Sequence, residues 1–105
     1  MTIINTTDKD FDEKIKGDLV LIDFWAPWCA PCRSVGEMLK SIDAKLGEKI
    51  LICKHNIDDE PSVPTRYGVR SIPTLLKFSK GELIDTKIGS TSESNILEFL
   101  NSKKD

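Results

Sequence analysis

The feature that most constrains this chain is a junction. The apolar run Leu19, Val20, Leu21, Ile22, Asp23, Phe24 and Trp25 leads through Ala26-Pro27 into Trp28-Cys29-Ala30-Pro31-Cys32. A near-continuous apolar run of this length reads as a central strand covered on both faces. Pro31 suits the first turn of a following helix, where its missing N–H costs nothing. On such a turn Cys29 and Cys32 share a face. Their Cα separation is then expected near the roughly 5.5–6 Å that a disulfide prefers. The partial positive charge of a helix N-terminus favours a thiolate at Cys29. One short segment thus offers a nucleophile, a resolving thiol and an electrostatic activator, the parts of a reversible dithiol/disulfide switch.

The chain as a whole allows this chemistry without other supports. Its 105 residues make one domain, 1–105, long enough for a core of its own. Disulfide or metal staples are not required at that size. The formal net charge is −2, with no basic block for nucleic acid and no acidic tail. The longest uncharged apolar run falls short of the ~18–20 residues needed to cross a bilayer. The first eight residues carry neither a basic segment nor an apolar one, so no signal peptide is expected and the cytoplasm is the expected location. Three cysteines, an odd number, do not make a disulfide scaffold. In a reducing compartment a Cys-x-x-Cys pair is catalytic or metal-binding instead.

Periodicity supplies the remaining elements. Residues 2–5 read as an edge strand. Thr7 reads as the N-cap of a helix through Lys16, with Phe11 and Ile15 on one face and Gly17 ending it. Over 31–46, Val35, Met38, Leu39, Ile42 and Leu46 recur at helical spacing, and Gly47 stops the helix. Residues 50–57 read as a strand and 61–67 as a short helix or turn. Residues 74–78 and 83–88 read as strands joined in a hairpin at Lys80-Gly81. Ser92 caps a last helix with Ile96, Leu97 and Leu100 as its apolar positions. This order predicts an α/β fold with a mixed sheet.

Asp23 stands out within the apolar strand. A buried carboxylate is costly, so its pKa is expected to be raised, and such groups beside reactive sites serve as proton acceptors. The plainer reading is a strand-end aspartate facing solvent or capping a loop. For Cys29 and Cys32 the plainer readings are half a zinc site or two structural thiols.

The ordered set of residues resembles the thioredoxin family over essentially the full length. It comprises residues 20–32, Lys54, Asn56-Ile57-Asp58, residues 67–75, Gly81 and Gly89. The resemblance implies the thioredoxin fold: a central five-stranded mixed sheet flanked by four helices, in the order βαβαβαββα. It implies a protein-disulfide reductase with no cofactor beyond its own Cys29–Cys32 pair. Cys29 would attack and Cys32, buried, would resolve. Asp23 would take the proton from Cys32 through water, with Lys54 nearby tuning the carboxylate. Pro73 would be a cis-proline facing the disulfide, and Ile72 would pair with an extended substrate segment. Trp28, Ala30, Pro31, Ile72, Pro73 and Gly89 would form the docking surface, with Trp25 supporting it. Electrons would come from a thioredoxin reductase and pass to disulfide-containing target proteins. A monomer is expected, with no bound metal, nucleic acid or membrane.

Three positions depart from the family pattern. Ala30 stands where glycine is usual, between the cysteines. Glu37 stands where many members have a helix-kinking proline, and Gly36 precedes it. Ser71 adds a hydroxyl before Ile72-Pro73. Cys53 reads as a small buried hydrophobe, or as a redox-sensitive third thiol. Cys29, Cys32, Cys53 and His55 nominally make a Cys₃His set, but without the second short pair a zinc site usually has. Beside the reductase reading stand two others: a disulfide oxidant or isomerase, motivated by Ala30, and a non-catalytic structural or binding module.

Overall fold

A computed structural model describes residues 3–102. It contains β1 (Ile3–Asn5), α1 (Phe11–Lys14), β2 (Val20–Trp25), α2 (Ala30–Leu46), β3 (Leu51–Asn56), α3 (Ser62–Arg66), β4 (Thr74–Ser79), β5 (Glu82–Ile88) and α4 (Glu93–Asn101). The five strands form one sheet in the order β1-β3-β2-β4-β5. The β1–β3 and β3–β2 pairs are parallel, and the β2–β4 and β4–β5 pairs antiparallel. Thr2, at the start of the expected edge strand, and the Lys103-Lys104-Asp105 tail lie outside the described residues.

Strand alternation divides the core into two layers. Leu21 of β2, Ile52 of β3 and Leu75 of β4 meet Val35, Leu39 and Ile42 of α2 and Ile96, Phe99 and Leu100 of α4. On the other face Val20, Ile22, Phe24, Cys53, Leu76 and Phe78 meet Phe11, Ile15 and Val63. Each large apolar side chain buried in this way contributes roughly 1.5–3 kcal/mol. The hairpin tip is a two-residue turn in which Lys80 and Gly81 both have positive φ, 53° and 86°. That is the backbone a tight antiparallel connection with matching twist requires.

Two expectations need correction. The first helix does not run from a Thr7 cap to Lys16; it covers only Phe11–Lys14. Thr7 Oγ1 accepts from the Asp10 amide and Asp10 Oδ1 accepts from the Thr7 amide, which closes a separate turn ahead of the helix. At the other end, the Ile15 and Gly17 carbonyls accept from the Gly81 and Lys80 amides, so the hairpin tip draws residues 15–17 out of helical geometry. In α4 the Ser92 hydroxyl caps as expected, accepting from the Asn95 amide. The side chains it buries are Ile96, Phe99 and Leu100, while Leu97 is only half-buried. Opposite Glu37, α2 continues without interruption from Ala30 to Leu46.

β4 also carries a buried lysine. Lys77 is 3% exposed, and its Nζ donates to the Phe99 carbonyl (2.8 Å), the Ser102 carbonyl (2.7 Å) and Ser102 Oγ (3.3 Å). Two of its protons thus go to carbonyls at the end of α4 and the third to the Ser102 hydroxyl, which itself donates to the Phe99 carbonyl. Lys77→Ala removes these bonds and is expected to lower stability by about 2 kcal/mol. The shift appears in the urea midpoint at unchanged slope. An unmoved midpoint would show that α4 does not depend on this anchor.

Candidate functional site

The site begins where β2 hands the chain to α2. Cys29 occupies the N-cap of α2 in extended backbone geometry, and Pro31 lies in the first turn. Cys29 Sγ accepts from the Cys32 amide at 3.2 Å. The two cysteines form a disulfide with a Cα separation of 5.3 Å. Both are buried, Cys29 at 5% exposure and Cys32 at 2%. A sulfur at the N-cap receives both the amide hydrogen bond and the helix dipole, and both favour a thiolate there once the disulfide opens. Cys32, one turn inside, has the weaker claim to that stabilisation.

Asp23 lies on the same β2 face as Leu21, the face that α2 covers. It is fully buried, and neither carboxylate oxygen has a hydrogen-bond partner among the described residues. Burial pushes its pKa up to about 7, opposed by the charge of Lys54. Lys54 is the registered neighbour of Asp23 on β3. Its Nζ rests 4.5 Å from the centre of the Trp25 ring. A Cβ built on Gly36 would lie 3.5 Å from Nζ, so α2 passes close over this lysine. Lys54 therefore acts on Asp23 as a nearby charge and not as a hydrogen-bond donor. The strand-end, solvent-facing reading of Asp23 does not hold.

Three further loops surround the disulfide end of the sheet. The Ile72–Pro73 bond is cis. The Pro73 carbonyl accepts from the Gly89 amide at 2.9 Å, and Gly89 has φ +94°, a conformation suited to glycine. Ala30 and Pro31 line a groove of about 470 Å³ with Ser34, Val35, Met38, Ser90 and Thr91. Trp28 is 67% exposed, and its Nε1 donates to Asp58 Oδ2 at 2.9 Å. Ala30 and Pro31 are exposed, Ile72 and Gly89 are half-buried, and Pro73 is buried. Trp25 is half-buried with its Nε1 enclosed. Ile88, 68% exposed beside Gly89, escaped the sequence reading. Its signal was its position as the last outward residue of an edge strand.

The thioredoxin family model matches residues 2–102. The chain is 46% identical over 99 residues to a thioredoxin of Rickettsia bellii, covering 92% of this chain and 94% of that protein. It is 45% identical over 103 residues to one of Porphyra purpurea, covering 96% of each. It is 38% identical over 101 residues to one of Bacillus subtilis, covering 96% and 97%.

The chain belongs to the thioredoxin family.

Its five-stranded mixed sheet with four helices is the thioredoxin fold. Like other thioredoxins it is a thiol–disulfide oxidoreductase working by dithiol exchange through its cysteine pair. The remaining thiol does not join that pair. Cys53 is fully buried on the opposite face of the sheet, and burial pushes its pKa up to about 12, with Asp10 adding to the shift. A thiol so protonated is a poor nucleophile. His55 shares that face but directs its ring nitrogens to Thr6, Asp8 and Glu60. Among the described residues no three His, Cys, Asp or Glu side chains are arranged to hold a metal ion. No helix among them is long and apolar enough to cross a membrane.

Proposed function

We propose that this single domain, residues 1–105, works as a monomeric cytoplasmic reductant of protein disulfides, with thioredoxin reductase as its electron donor. The Cys29 thiolate attacks one sulfur of a target disulfide. A Cys29–target mixed disulfide forms, and the first target sulfur leaves as a thiolate and takes up a proton. Asp23 then accepts the Cys32 proton through water, and the Cys32 thiolate attacks Cys29 Sγ. The second target thiolate leaves, and the protein retains the Cys29–Cys32 disulfide. Two electrons have passed to the target, and the reductase restores them. Lys54 holds the Asp23 pKa from rising further, which keeps the carboxylate available near neutral pH. Trp28, Ala30, Pro31, Ile72, Pro73 and Gly89 present the docking face, and Trp25 supports it from below. No cofactor or metal is needed beyond the cysteine pair.

The observation that carries this reading is Cys29 at the N-cap of α2 with buried Asp23 on the strand face beneath that helix. An equilibrium titration in glutathione buffers, read by the fluorescence of Trp25 and Trp28, tests it. A reductant has a potential below the cytosolic glutathione poise, roughly −220 to −260 mV by extraction. A potential well above that range would make the protein an oxidant or isomerase and reopen its location. Absence of a reversible two-electron transition would leave a structural role.

A further inference from the structure

The groove beside the disulfide is continuous with the docking face. Ala30 and Pro31 belong to both, and Ser90, on the opposite wall, follows Gly89 in the chain. Its volume is about 470 Å³, many times the roughly 30 Å³ of one water, so it admits a side chain.

Two elements build the walls. On α2, Ala30, Ser34 and Met38 lie four residues apart, as do Pro31 and Val35, so they stack into one stripe. Facing them is the connection from β5 to α4, with Ser90 and Thr91. That connection is pinned at both ends. The Gly89 amide donates to the Pro73 carbonyl, and the Ser92 hydroxyl caps α4. One turn beyond Met38, Ser41 Oγ donates to Glu93 Oε2 at 3.1 Å and ties α2 to the start of α4.

The lining mixes two chemistries and lacks a third. Pro31, Val35 and Met38 are apolar. The Ser34 and Ser90 hydroxyls are exposed and can turn to donate or accept. Thr91 Oγ1 is shut off from solvent with no partner among the described residues. A turn about χ1 to another staggered rotamer exchanges the Thr91 hydroxyl with its methyl, at the wall of the groove. No charged side chain lines the groove. The charges of the adjoining elements are engaged elsewhere: Arg33 donates to the Pro27 carbonyl, Glu37 pairs with Lys40, and Glu93 pairs with Lys45.

This lining selects its occupant. A charged side chain would exchange water for neutral hydroxyls alone, without a counter-charge. An aliphatic one would cover the serine hydroxyls and leave them unpaired. A glutamine lays its apolar stem on Pro31, Val35 and Met38, and its amide offers two donors and an acceptor to the hydroxyls. We propose that the groove is a subsite for a neutral amide side chain, glutamine above all, from a target residue flanking the attacked cysteine, and that Ser34, Ser90 and Thr91 set this preference. The inference rests on the reductant reading and on Ala30-Pro31 being part of the docking face.

The test uses disulfide-closed peptides that differ at one position, with Gln, Leu, Glu, Lys or Ala placed in turn at each site flanking the cysteines. Their kcat/KM is measured in turnover driven by dithiothreitol. At one flanking site Gln is expected to exceed Leu, Glu and Lys by about 5-fold. In the Ser34→Ala/Ser90→Ala/Thr91→Val protein the Gln and Leu peptides are expected to react alike. Met38 supplies a second readout, as the one methionine besides Met1. In the Cys32→Ser protein trapped with the Gln peptide its methyl resonance should shift relative to the adduct with the Ala peptide. Equal rates across the series, a best substrate carrying Glu or Lys, a Gln preference that survives the triple substitution, or a Met38 methyl indifferent to the peptide would overturn the proposal. Hydroxyethyl disulfide, which has no side chain to place in the groove, reports the cysteine chemistry alone. A native protein that fails to reduce it refutes the reductant reading, whereas reduction without any peptide preference refutes only the subsite.

Discussion

Cys29→Ser is expected to abolish reduction of insulin by dithiothreitol-coupled turnover, with a loss on the order of a thousandfold or more. Cys32→Ser is expected to stall one step later. The asymmetry comes from position on α2. Cys29 Sγ sits at the N-cap and accepts the Cys32 amide, so the helix dipole and a hydrogen bond stabilise its charge. Cys32 lies a turn further in at 2% exposure, where a large target cannot reach it but Cys29 can. The serine at 32 cannot attack the mixed disulfide, so a one-to-one covalent adduct accumulates. Mass spectrometry of quenched reactions would show the adduct for Cys32→Ser and none for Cys29→Ser. Retained turnover in Cys29→Ser, or adducts formed through Cys32, would reverse the assignment.

How legible these features were depends on how local their causes are. The β2–α2 junction was plain because a covered strand, a proline in the first turn and paired cysteines are encoded within residues 19–32. The burial of Asp23 was suggested by its place inside the apolar run, against a solvent-facing alternative, but nothing local showed that its carboxylate lacks a hydrogen-bond partner among the described residues. The extent of α1 was misjudged because its last turn is undone by amides of Lys80 and Gly81, more than sixty residues away in sequence. Lys77 gave no sign of its role, since its partners are carbonyls at the far end of another element. His55 was read only as a companion to Cys53, because Thr6, Asp8 and Glu60 meet it by tertiary folding alone. The cis bond before Pro73 was expected from the family resemblance; for X–Pro bonds in general cis is uncommon, at roughly 5–6%.

Asp23→Asn is expected to stabilise the protein in one pH range only. The carboxyl has an ordinary value of 3.8 and is raised to about 7 by burial in the folded state. Below about pH 4 it is protonated whether the chain is folded or not, and the substitution changes little. Between these values the folded state holds a proton that the unfolded state has released, so native stability falls as pH rises. Above 7 the native fold carries a buried charge, and the loss is complete. A shift of about three units corresponds to at most about 4 kcal/mol. Asparagine presents the same unpartnered polar group as the protonated acid, so the comparison isolates the charge. Its denaturant midpoint should therefore separate from the native one as pH rises from 4 to 8, and its Tm at pH 8 should be higher by on the order of 10 °C. Parallel stability curves would refute an unpaired buried carboxyl. The same variant should still form mixed disulfides through Cys29 but resolve them roughly 100-fold more slowly near neutral pH, because Cys32 has lost its proton acceptor. A stabilised variant with unchanged resolution would leave the carboxyl buried but remove Asp23 from the proton transfer.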